Sequence, residues 1–138
     1  MLEFLFYFKK CLLNYANFEG RARRKECWMF YFVNIIICAI LAAFLILINQ
    51  NENQYSWAID IISTLLFFIM TIYGLAIIIP TIAVSVRRLH DIGKSGWFYL
   101  LFLVPIVGSI IMLVFLCSSG DIGDNKYGPD PKETPIVE

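Results

Sequence analysis

Polar and apolar positions alternate in long blocks rather than in short periods. Three runs carry no charged residue: Cys27 to Ile48, Ile61 to Val86, and Trp97 to Cys117. A helix needs about 20 apolar residues to cross a hydrocarbon core of about 30 Å, and each run reaches that length. The blocks predict an all-α integral membrane protein of a single domain. It has three spanning helices, at 27–48, 57–86 and 97–117, an N-terminal segment at 1–26 and a flexible acidic tail at 118–138.

The N-terminal stretch "MLEFLFYFKKCLLNYA" places its lysines in mid-segment, and no small-residue cleavage site follows an apolar core, so it does not read as a signal peptide. It predicts an amphipathic helix lying in the interface. Phe4, Phe8, Cys11, Leu12 and Tyr15 share its apolar face, and Glu3, Lys10, Asn14 and Asn17 its polar one.

Cations set the expected orientation. Lys9, Lys10, Arg21, Arg23, Arg24 and Lys25 precede the first run, and the connection "NQNENQYS" has none. Arg87, Arg88 and Lys94 lie between the second and third runs, and Lys126 and Lys132 in the tail. Three spans would put nine cations on one side and two on the other, with the N-terminus cytoplasmic and the tail outside. At 1.5 Å per residue the second run reaches about 39 Å, an excess that tilt or a kink at Pro80 would absorb. The third run contains "VPIVGS". A kinked span is one reading of it and a re-entrant hairpin the other. The span is the expectation, because backbone bent at membrane depth needs protein cover.

Composition agrees with the blocks. The chain is 138 residues long, 59% hydrophobic and 16% charged, against about a quarter charged in an ordinary soluble domain. Its formal net charge is zero, so nothing draws it to nucleic acid in bulk. Cys11, Cys27, Cys38 and Cys117 have no metal or redox spacing, so no disulfide, metal or cofactor is expected.

The chemistry-bearing stretch is "RRLHDIGKSGW", residues 87–97. Gly93-Lys94-Ser95 resembles the end of a phosphate loop, but Arg88 stands where that loop needs its first glycine. His90 and Asp91 are an acid–base pair in type only, since adjacent side chains point apart. Ser95 reads as the cap of the following helix. The arginines and Lys94 read first as anchors at the membrane surface. Together with "GRARRKE" they also make a basic face on one side of the membrane. Arg21, Arg23, Arg24, Lys25, Arg87, Arg88, His90, Asp91 and Lys94 are therefore the candidate residues for binding an anionic phospholipid or a membrane partner. Asp91 is expected to pair with an arginine of that cluster. The spacing of Asp121, Asp124, Asn125 and Asp130 does not match a calcium loop.

The stretches "FEGRARRKECWMF", "RRLHDIGKSGWFYLLFLVPIVG" and "GDNKYGPDP", in this order, resemble the bacterial inner-membrane family called domain of unknown function 805. The resemblance runs from about Asn14 to Lys132. It implies a multi-pass helical protein of the bacterial inner membrane and no known reaction. It marks Gly20, Trp28, Gly96, Trp97, Pro105, Gly108, Asn125, Gly128 and Pro131 as motif positions beside the charged ones. Cys27 departs from the tyrosine expected of the family. The function expected is a non-enzymatic module binding anionic lipid or a partner. An oligomeric transport or channel component is the alternative, and a lipid-modifying enzyme the third.

Overall fold

A computed structural model describes residues 2–50 and 57–132. Most of the expected connection between the first two runs, 51–56, and the tail's end, 133–138, lie outside the described residues, as does the side chain of Glu3. Four α-helices follow in order: α1 (Leu2–Leu13), α2 (Arg24–Asn49), α3 (Trp57–Asp91) and α4 (Val107–Cys117), with a 3-10 helix at Gly96–Leu103 before α4. No strand occurs among the described residues; Asn125 and Gly128 form one isolated antiparallel bridge.

Two helices, α2 and α3, are long and apolar enough to cross a membrane. Both pass through two compact units. One is Phe32–Ile78; the other joins Met1–Tyr31 to Ile79–Glu138. In the Phe32–Ile78 unit no described residue is buried, as suits helices whose apolar side chains face lipid. Its stretches 32–49 and 57–78 rise about 27 and 33 Å, close to the hydrocarbon thickness. Tyr73 donates a 2.6 Å hydrogen bond to Asn34 Oδ1 between them.

The other unit holds the buried residues. The Phe8 ring of α1 stacks on Phe30 of α2 at 5.6 Å, and Tyr7 and Cys11 are buried with it. The last turns of α3 bury Pro80, Val84, Arg87, Arg88 and Asp91, a stripe at helical spacing. The helix continues through Pro80. It stops at a Schellman cap: Gly93 is left-handed (φ 69°), its N–H donates to His90 O, and Lys94 N–H donates to Leu89 O at 2.9 Å. Ser95 then caps the 3-10 helix by accepting from Trp97 N–H. Gly93 and Ser95 are thus a helix stop and a helix start, not a phosphate cradle.

The third apolar run does not form the single spanning helix expected at 97–117. It breaks after Leu103, and Phe98 meets Phe115 edge to face at 5.8 Å, so the chain doubles back. Pro105 has no N–H to continue the first helix. Ile106 sits at φ 64°, ψ −65°, the centre of a γ-turn closed by Val107 N–H to Pro105 O at 2.7 Å. Gly108 is buried where any side chain would overlap Leu101 O. The two arms, eight and eleven residues long, each rise about 16 Å, half of a hydrocarbon core.

The described part of the tail, 118–132, is built of the turns that its glycine, proline and aspartate residues favour. Asp121 N–H donates to Asp91 O at 2.8 Å, and Asn125 Nδ2 to His90 O at 2.9 Å. Short local bonds shape the segment, with Tyr127 N–H on Asn125 Oδ1 and Lys132 N–H on Asp130 Oδ1. The backbone N–H groups of Lys132 and Gly123 also hold the Asp130 carboxyl below its ordinary pKa.

Candidate functional site at the end of α3

Asp91 is the centre of a buried charge cluster. Its Oδ1 accepts from Arg21 Nε at 3.0 Å and its Oδ2 from Arg88 Nη1. The expected tie between Asp91 and the first basic segment therefore forms through Arg21, across 70 residues. Gly120 packs against the carboxylate, where a side chain would overlap it. Two guanidiniums on one carboxylate leave an excess positive charge. Backbone oxygens absorb it: Arg21 donates to Asp121 O and Gly123 O at 2.6 Å and to Gly128 O at 3.4 Å. Arg88 donates to Leu116 O at 3.3 Å and to Ser118 O. These last two oxygens lie at the C-terminus of α4, where the helix dipole favours a cation.

A second cluster lies under α1. Glu26 is fully buried and accepts from Lys10 Nζ at 2.8 Å and Arg87 Nη1 at 3.0 Å. Arg87 Nε and Nη2 are buried without an acceptor among the described residues. Periodicity puts Lys10 on the polar face of an interfacial helix. From there, still partly exposed, it reaches Glu26, because a carboxylate out of water needs paired donors. The buried side of α1 is Tyr7 and Cys11, while Phe4, Leu12 and Tyr15 are exposed. Burial, with the neighbouring Glu26 carboxylate, pushes the Cys11 thiol up to about 12. It stays protonated at neutral pH and is no nucleophile.

The candidate basic residues therefore divide. Arg21, Arg87, Arg88 and Asp91 are buried in ion pairs. Arg23 is half-buried and donates to Pro131 O. Arg24 is exposed, with Nη1 3.3 Å from Cys117 O. Lys25 and Lys94 are exposed. A basic surface built on all seven cations does not exist, since three of them are interior.

His90 is half-buried, its Nδ1 3.2 Å from Gly20 O and its ring stacked on Tyr127 at 3.9 Å with 6° between planes. It lines a cavity of about 530 Å³ together with Ile82, Val86, Trp97, Leu100 and Tyr127. Volumes of 300–1,000 Å³ are typical of ligand sites. Sequence reasoning found His90 but neither the cavity nor Tyr127, which lies 37 residues further along the chain in the motif GDNKYGPDP. No group of histidine, cysteine or carboxylate side chains among the described residues could hold a metal.

The chain is similar to proteins of the bacterial inner membrane. It is 43% identical over 129 residues to inner membrane protein YhaH of Escherichia coli K12, covering 94% of this chain and 98% of that protein. It is 40% identical over 126 residues to inner membrane protein YhaI of the same organism, covering 91% and 95%. The uncharacterized protein YiiR is 26% identical over 145 residues, covering 85% and 87%. No solved structure matches. Residues 15–129 match the model of a protein family of unknown function, DUF805, and the chain belongs to that family.

Proposed function

We propose that this chain is a non-enzymatic module of the inner membrane that takes up a lipid from the cytoplasmic leaflet. The cavity beside His90 carries this reading: its walls are largely apolar, and exposed Lys94 and Lys126 flank the segments that line it. Trp97, Leu103, Ile106 and Ile110 of the hairpin are exposed, which suits contact with lipid.

The membrane disposition belongs to the same proposal. Only α2 and α3 span, and the hairpin enters the cytoplasmic leaflet and returns. All 11 lysines and arginines then lie on one side, and none on the other. This bias exceeds the nine to two of the three-span expectation, and the positive-inside rule places both termini in the cytoplasm.

Two experiments test the reading. Native mass spectrometry of protein extracted in mild detergent should show a retained phospholipid, lost when Leu100→Trp fills the cavity; equal lipid on both would overturn the site. Cys117 is exposed at the end of α4. In a Cys38→Ser background it should react with a charged maleimide in inverted vesicles and not in intact spheroplasts. Labelling in spheroplasts would overturn the hairpin.

A further inference from the structure

Of the polar side chains that line the cavity, His90, Ser95, Tyr99 and Tyr127, His90 alone presents a nitrogen that can accept without donating. Gly20 O accepts hydrogen bonds and cannot donate, so His90 Nδ1, 3.2 Å away, carries the ring proton. In the neutral ring Nε2 is then a bare acceptor. It has no hydrogen-bond partner among the described residues. Its direction is fixed from two sides. Tyr127 lies flat on the ring, and Asn125 holds the His90 carbonyl.

Gly96 keeps Nε2 open. A Cβ at Gly96 would stand 3.4 Å from Nε2 and 2.7 Å from Val86 Cγ1. Any other residue would crowd this wall of the cavity. Charge completes the description. Lys94, two residues before Gly96, is exposed, and Lys126 Nζ sits 4.9 Å from the centre of the Tyr127 ring. No carboxylate lines the cavity. An apolar body, a hydrogen-bond donor and a nearby anion are therefore required of one ligand.

We propose that the site selects an anionic phospholipid whose headgroup carries a free hydroxyl. The acyl chain fills the cavity, the headgroup hydroxyl donates to His90 Nε2, and the phosphate faces the ammonium groups of Lys94 and Lys126. This rests on the cavity being a lipid site, and adds the chemistry that it prefers. A phosphate without a headgroup hydroxyl satisfies the lysines alone, and a choline headgroup satisfies neither requirement.

The test uses the full chain in nanodiscs with Trp28→Phe and Trp57→Phe, so that only Trp97 at the cavity emits. Brominated phosphatidylglycerol, phosphatidylmethanol or phosphatidylcholine is titrated into unbrominated phosphatidylcholine. Random contact gives quenching that follows the bulk mole fraction, and this is the expectation for brominated phosphatidylcholine. Phosphatidylmethanol, a singly charged phosphodiester with no hydroxyl, should quench at lower fractions. Phosphatidylglycerol should be favoured over phosphatidylmethanol by roughly fivefold, the ratio one net hydrogen bond supplies. His90→Phe keeps the stacked ring and removes the acceptor, so the two anionic lipids should become equal. Lys94→Gln, at an exposed position, should weaken both together. Equal quenching by the two anionic lipids in the unsubstituted site overturns the hydroxyl preference while leaving a lipid site. Quenching at bulk fraction by all three lipids overturns the lipid site itself.

Discussion

The two units of this chain are held in opposite ways. Among the described residues of Phe32–Ile78 there is one charged side chain, Asp60, and no buried residue. A hydrogen bond from Tyr73 to Asn34 joins its helices. The unit formed by Met1–Tyr31 and Ile79–Glu138 encloses Arg21, Glu26, Arg87, Arg88 and Asp91. The difference follows from solvent. Lipid offers apolar helices no hydrophobic reason to associate, whereas a charge withdrawn from water must find its counter-ion inside the protein. The first unit is specified by length and hydropathy, the second by pairings between residues far apart in sequence.

The largest test of this contrast removes the shared carboxylate. Asp91→Asn leaves Arg21 and Arg88 without their counter-ion, and loss of one partner of a buried pair costs about 3–5 kcal/mol. Thermal unfolding in detergent should show a large drop; a change near zero would mean that backbone carbonyls alone hold both arginines. Gly108→Leu comes next. Overpacking costs about 1–3 kcal/mol, and here the added side chain drives α4 off Leu101 O. A crosslink engineered between positions 98 and 115 should form less readily, and unchanged crosslinking would remove the close approach as the reason for glycine.

In the apolar unit the corresponding deletion should matter less. Asn34→Leu removes the acceptor of the Tyr73 hydroxyl, and interhelical hydrogen bonds in membranes average about 0.6 kcal/mol. Unfolding measured in the same detergent should shift by less than a third of the Asp91→Asn value. The smallest effect is expected at Lys10→Met. The Lys10 side chain is 43% exposed, Glu26 keeps Arg87, and an exposed partner contributes about 0–1 kcal/mol. A loss as large as that of Asp91→Asn would place Lys10, rather than Arg87, as the ion that holds Glu26 inside.

Sequence reasoning read these regions unequally. Charge-free runs located α2 and α3 closely, because lipid contact depends on composition that a sequence displays directly. The pairing of Asp91 with the first basic cluster was legible too, since the short loop confines Asp91 near that interface. The pair of Lys10 with Glu26 was missed because helical periodicity assigns a lysine to the solvent face and does not register a carboxylate buried 16 residues later. In the third run, hydropathy measures length and not continuity. Pro105 and Gly108 signalled a bend, but the close approach of Leu101 O to Gly108 exists only once the arms meet. The tail has the glycine, proline and aspartate content of turns, and its described part forms them. Its main-chain carbonyls, which meet Arg21 and Arg23, are invisible in composition.

The arginine–aspartate cluster also imposes an order in time. Arg21 meets partners that follow it by 70 to 107 residues, so it leaves the ribosome long before Asp91, Asp121 or Gly128 exists. During that interval its guanidinium has none of these partners. In that state it adds to the positive-inside bias on which the orientation proposed above rests. Only after the segment beyond Cys117 emerges does the cluster close and withdraw Arg21 from water. On the proposed orientation the same side chain contributes to topology during synthesis, and in the folded protein it is an interior brace. A chain cut before Gly120 would keep Arg21 beside Asp91 and lose its three backbone acceptors at Asp121, Gly123 and Gly128.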